Sequence, residues 1–127
     1  MQQKHLFEYA VVRFVPRVER EEFLNIGVIL YCAGQKFLGA KFLLDESRLI
    51  AFSPGADISE LMEHVCSMER ICIGNQGAGP IGKLDAASRF RWLTATRSTI
   101  LQTSKVHPGF CEDAGQNLGQ LFAQLVV

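Results

Sequence analysis

Apolar residues recur along this chain in two rhythms, one of period two and one of period three to four. Phe7 to Val15 is dense in aromatic and β-branched residues and closes on Pro16, which has no amide hydrogen to give to a ladder. That run predicts a first strand. The polar stretch Arg17 to Glu22 separates it from Phe23 to Cys32, a second strand with apolar residues on both faces. Ala33-Gly34-Gln35 supplies a tight turn, and Lys36 to Leu44 reads as a third strand antiparallel to the second. After the break at Ser53-Pro54-Gly55 the period changes. Ile58, Leu61, Met62, Val65, Met68 and Cys72 recur at helical spacing behind Asp57 and Glu60, which have the separation of an N-terminal capping box. An amphipathic helix of about four turns is expected there, laid over the sheet. Gly74 to Gly82 is a loop, and Asp85 caps a short helix in which Ala86, Phe90 and Leu93 share a face. Thr99 to Thr103 reads as a fourth strand and His107-Pro108-Gly109 as a turn. Leu118, Leu121, Phe122 and Leu125 form the buried stripe of a C-terminal helix. The expected architecture is a single α+β domain over residues 1–127. Its antiparallel sheet has about four strands, an N-terminal three-strand meander plus one later strand, packed on one face by two to three helices.

Composition narrows the function classes. At 127 residues, 48% hydrophobic and 20% charged, the chain has the balance of a globular core rather than of a disordered tail. Its 13 basic and 13 acidic side chains cancel, so no long-range field draws it to nucleic acid or to an anionic membrane. The most apolar stretch, Phe23 to Gly34, is interrupted by Asn25 and is shorter than the roughly 20 residues a spanning helix needs. Glu8 and Arg13 interrupt the N-terminal run where an export signal would have to be continuous, and the four cysteines read as reduced thiols. A cytoplasmic location follows as an expectation.

Candidate chemistry begins on the meander. A turn centred on Gly34 sets Asn25, Gly27, Ile29 and Tyr31 against Phe37, Gly39, Lys41 and Leu43, with Lys41 opposite Gly27. A loop centred near Glu19 pairs Arg13 with Asn25 on the same side. Two glycines would then leave a shallow cup rimmed by Arg13, Asn25 and Lys41. A guanidinium in a run as apolar as Tyr9 to Val15 needs an acidic or carbonyl partner to offset its desolvation. That partner is either an internal carboxylate, with Glu22 the nearest choice, or a bound anion. A second surface gathers Arg89, Arg91 and Arg97 around Trp92, against the plainer reading of a solvated helix face. Gly77, Gly79, Gly82 and Lys83 mimic a phosphate loop, but Leu84 stands where a hydroxyl should bind magnesium. His64, Cys66, Cys72, His107 and Cys111 include no Cys-x-x-Cys pair, so neither metal nor cofactor is expected. Cys111 near His107 is the one nucleophile and base close in sequence. No credible catalytic set emerges, which leans away from an enzyme.

Three groups of strings are similar to those of an uncharacterised bacterial family, domain of unknown function 3037. They are Tyr9-Ala-Val-Val-Arg-Phe-Val-Pro16, Glu22-Phe-Leu-Asn-Ile-Gly-Val-Ile-Leu30, and Phe90-Arg-Trp-Leu93 with Arg97-Ser-Thr99 and Gln102 to His107. The resemblance runs over nearly the whole chain and implies no activity. It does imply a context, since similar chains are often encoded beside a HipA-like kinase. One departure is the turn before the second strand, where Arg20-Glu21-Glu22 replaces a more typical Arg-Gly-Glu. The leading expectation is therefore a non-catalytic interaction or regulatory module that binds a protein partner, such as a HipA-like kinase. The alternative is a small enzyme or sensor holding an anionic phosphate or carboxylate metabolite at the Arg13, Asn25 and Lys41 cup. Nucleic-acid binding through the Arg89, Arg91, Trp92 and Arg97 patch ranks last, and a homo-oligomer stays open.

Overall fold

The computed structural model describes residues 4–74, 78–95 and 99–127. The axis of its sheet is β1 (His5–Phe14), flanked on one side by β2 (Leu24–Cys32) and beyond it by β3 (Phe37–Phe42). The other side of β1 is shared end to end by β4 (Leu101–Thr103) and β5 (His107–Cys111), and every pairing is antiparallel. Ser104 splices the last two strands. Its amide donates to the Val11 carbonyl at 2.8 Å and its Oγ accepts the Val11 amide at 2.9 Å. A hydroxyl thus stands where the interrupted ladder lacks a carbonyl.

The antiparallel α+β architecture read from the sequence stands, with five strands. The fifth is the segment His107-Pro108-Gly109 that reads as a turn. The Val15 amide donates to Ile100 and Val11 bonds Ser104, so odd-numbered residues of β1 direct their backbone toward β4 and β5. Pro108 pairs with Glu8, an even-numbered residue, and its nitrogen therefore faces the outer edge, where no donor is needed. Gly109 in turn admits the Phe7 ring, since a Cβ there would come within 2.5 Å of it.

Four helices complete the described residues: α1 (Glu46–Phe52), α2 (Ile58–Ile73), α3 (Ala86–Leu93) and α4 (Ala114–Leu125). Each begins at an aspartate, Asp45, Asp57, Asp85 or Asp113, whose carboxylate accepts the amide three residues on. This satisfies an orphan donor of the first turn and places negative charge at the positive end of the helix dipole. At Asp85 the hydrogen bonds from Ser88 hold the carboxyl below its usual range.

The helices do not share one face, as the sequence reading has it. Leu49 of α1, Leu61, Val65 and Met68 of α2, and Phe90 and Leu93 of α3 pack with Val12, Phe14 and Ile29 on one side of the sheet. On the other side α4 lays Leu118, Leu121, Phe122 and Leu125 over Phe7, Val28, Leu30 and Cys32. Strand β2 is apolar on both faces because both faces are covered.

Register decides what the sheet presents. The loop between β2 and β3 holds four residues, Ala33 to Lys36, with Lys36 in the left-handed region at φ 52°. It is one residue longer than a turn centred on Gly34. Phe42 therefore pairs with Gly27, and Lys41 with Val28. A slip of one residue inverts β3 relative to the β2 residues it pairs with, and a bulge at Ile26, between the Val12–Gly27 and Arg13–Asn25 pairs, puts Gly27 and Asn25 on opposite faces.

Candidate functional site

The proposed cup does not assemble. Arg13 does pair with Asn25, as expected. Gly27, however, pairs with Val12 and Phe42 and lies on the side of α1, α2 and α3, away from Arg13. The hollow it leaves is filled by the Phe42 ring, 2.4 Å from where a Cβ would stand. Gly39 is filled in the same way by Phe37, with Leu118 beside it. Lys41 reaches the α4 side, but its Nζ lies beside Gly119, whereas Asn25 Nδ2 donates to the Leu125 carbonyl at 3.1 Å. Those two points on α4 are six residues apart, roughly 9 Å along its axis. The helix occupies the space in which a ligand was expected.

Arg13 itself is half-buried, with its guanidinium carbon 4.0 Å from the centroid of the Phe23 ring. The internal salt bridge with Glu22 does not form, because Glu22 accepts from Arg20 Nε instead. Arg13 Nε and Asn25 Oδ1 are both buried without a hydrogen-bond partner among the described residues. Such groups cost about 1–3 kcal/mol each relative to a satisfied state.

The Arg/Trp patch divides. Arg89 turns inward under the last turn of α2, where its Nη1 donates to the carbonyls of Ile71 and Cys72, both at 2.7 Å. Its Nε donates to that of Leu84 at 3.0 Å. Gly74, left-handed at φ 73°, closes the same helix end and lies against the guanidinium. Arg91 and Trp92 open onto different clefts. Arg91, Glu8, Tyr31 and Val106 line one of about 130 Å³. Trp92 walls another of about 210 Å³ between α2 and β4, floored by Met68, Ile71 and Leu101. Arg97 lies outside the described residues, as does Gly77 of the glycine-rich stretch. Within that stretch Pro80–Lys83 is a 3-10 turn packed near α2 and α3, and it follows no strand. It therefore lacks the strand-to-helix frame a phosphate loop requires.

The cysteine and histidine candidates do not converge. Cys66 is exposed on α2 and Cys72 is buried, its thiol pushed up to about 12 by burial, with Arg89 pulling partly the other way. Cys111 is buried at one end of β5, and burial and the neighbouring Cys32 thiol push it upward. His107 sits at the other end of that strand with its ring 5.4 Å from that of Tyr9. Four residues of extended chain, roughly 13 Å, separate His107 from Cys111, so no nucleophile and base pair forms there. Among the described residues no group of three or more His, Cys, Asp or Glu side chains could hold a metal ion. None of the described helices is long and apolar enough to cross a membrane.

Sequence reasoning missed the exposed end of the sheet. Leu6 of β1 and Phe110 of β5 are direct partners and are 55% and 70% exposed. Val106, Pro108 and Glu8 continue the same row toward Arg91. The signal was available in the alternation Val106, Pro108, Phe110, but reading a turn at Pro108 hid it.

The described residues thus define an α+β protein whose antiparallel sheet lies between helices, with open clefts at the sheet margins. A family described as protein of unknown function (DUF3037) matches residues 9–126, and the chain belongs to it. No curated protein and no solved structure matches.

Proposed function

We propose that this chain is a non-catalytic docking module that binds a protein partner through the apolar end of its sheet, the partner being a HipA-like kinase of the kind encoded beside similar chains. The observation that carries this reading is the exposed Leu6 and Phe110 pair, extended by Val106 and Pro108 and bordered by Arg91 and Glu8. A large aromatic in an apolar strip, rimmed by charges of both signs, has the composition of an interface hot spot. The charge balance of the chain fits association driven by burial rather than by a long-range field. A cytoplasmic setting is part of the same proposal.

The test is titration of the purified chain with the recombinant kinase. Binding at micromolar concentration that Phe110→Glu weakens by about a hundredfold, roughly 2.7 kcal/mol, is the expected result. No association with the kinase, or unchanged affinity in Phe110→Glu, ends the proposal. A second reading, an anionic metabolite on Arg13, draws on the unpartnered Arg13 Nε and Asn25 Oδ1, with Gly27 and Lys41 removed from the site. It requires phosphate or succinate to raise the melting temperature of the parent and not of Arg13→Met.

A further inference from the structure

The margin of the sheet opposite the apolar patch carries a separate feature. Strand β3 ends the order β3-β2-β1-β4, so its second edge has no neighbour among the described strands. The Leu43 amide donates to the Ile26 carbonyl at 2.8 Å. In an antiparallel ladder alternate residues bond to the same side. Phe37, Gly39 and Lys41 therefore face β2, and Leu38, Ala40 and Phe42 direct three N–H and three C=O groups outward. No proline blunts this edge, in contrast to Pro108 on β5. Alongside it runs a cleft of about 260 Å³ between β3 and the last turn of α2, lined by Leu38, Ala40, Glu69, Cys72 and Ile73. Ile73 is 70% exposed. The helical wall is held in place from behind, since Arg89 and Gly74 close the end of α2.

We infer that this groove receives an extended segment of a partner polypeptide, which adds to the sheet as a further strand beside β3. An edge strand with a helix standing over it supplies both elements of such recognition. Main-chain bonds give affinity, and the cleft reads every second side chain. The apolar wall of Leu38, Ala40, Cys72 and Ile73 selects apolar residues at alternate positions. Glu69, which makes no ion pair among the described residues, selects a basic residue beside them. Charge also separates this occupant from a second copy of the chain. Antiparallel pairing of two β3 edges about a two-fold axis would bring both α2 helices onto the same face, setting Glu69 toward Glu69. The inference goes beyond the docking reading and stands or falls without it, because the groove and the Phe110 patch lie on opposite margins.

The probe is a short synthetic peptide alternating valine and threonine with a lysine placed to meet Glu69, read by amide hydrogen exchange of the full chain. In the free protein the amides of Leu38, Ala40 and Phe42 should exchange fast while those of Gly39 and Lys41 are protected. Bound peptide slows the first three by about tenfold or more. Ala40→Pro, whose lost N–H faces outward as at Pro108, removes the effect. Glu69→Lys, on the exposed helix surface, shifts preference by about tenfold toward a peptide with glutamate in place of lysine, and this arm keeps the test intact if Ala40→Pro does not fold. Protection of the three amides in the free protein, whether constant or rising with protein concentration, overturns the inference. So does a peptide that leaves them unchanged, or a Glu69→Lys variant with unaltered preference.

Discussion

Two arginines that look alike in the sequence, Arg13 in β1 and Arg89 in α3, occupy opposite kinds of site. Arg89 donates to three main-chain carbonyls, two of them at the C-terminal end of α2, where the helix dipole also favours a cation. Arg13 rests on the Phe23 ring with its Nε buried and unmatched among the described residues. The residue picked out as a surface binder is half-buried and directs its guanidinium to main-chain carbonyls. The one expected to find an internal carboxylate finds none among the described residues. An arginine is made structural by carbonyls that have nowhere else to go, and a helix end supplies these without leaving any acidic signature in the sequence.

The comparison breaks first at Arg89. Replacing it by methionine keeps most of the aliphatic volume and strands the Ile71, Cys72 and Leu84 carbonyls, which should cost about 2–3 kcal/mol, the range of charge-assisted hydrogen bonds. Urea unfolding of Arg89→Met reads this directly as a lower midpoint. A loss below about 0.5 kcal/mol would mean that water replaces the guanidinium freely and that the end of α2 does not depend on it. Arg13→Met should behave otherwise. It gives up a cation–π contact worth about 0.5–1 kcal/mol and removes a buried unmatched donor that costs as much or more. Its midpoint should stay within about 1 kcal/mol of the parent value. A loss like that of Arg89→Met would reveal a partner for Arg13 in the folded protein.

Much of the fold was legible because it rests on periodicities and caps that are local. The buried stripes of α2 and α4, the caps at Asp57 and Asp85, and the pairing of Arg13 with Asn25 all follow from spacing alone. What was illegible depends on a single residue of register or on a distant partner. One additional residue in the Ala33 to Lys36 loop pairs Lys41 with Val28 instead of Gly27, and a bulge at Ile26 turns Gly27 away from the face of Arg13 and Asn25. Pro108 is a strand residue only because its nitrogen faces outward, and this depends on the parity of β1. The short α1, with Leu49 as its one fully buried residue, offers too few periodic positions to stand out. The candidate site failed for the same reason: Arg13, Asn25 and Lys41 were correctly placed on one face, but nothing local shows that α4 covers it.

The smallest expected effect lies in the loop that carries Phe23 to Arg13. Glu21 stands there in the left-handed region at φ 57°, its amide closing the turn onto the Val18 carbonyl at 3.2 Å. A side chain in that region costs about 1–2 kcal/mol relative to right-handed geometry, and glycine occupies it freely but loses more entropy on folding, about 0.5–1 kcal/mol. The balance favours glycine, the residue expected in the more typical Arg-Gly-Glu turn. Glu21→Gly should therefore raise stability by about 0.5 kcal/mol, and Lys36→Gly, at φ 52° in the β2–β3 loop, should do the same. Both are read as a shift of the urea midpoint with unchanged slope. If Glu21→Gly instead destabilises, the tension in this turn is not backbone strain but part of what presses Phe23 onto Arg13. Glu21→Gly combined with Arg13→Met would then lose less than the sum of the two changes.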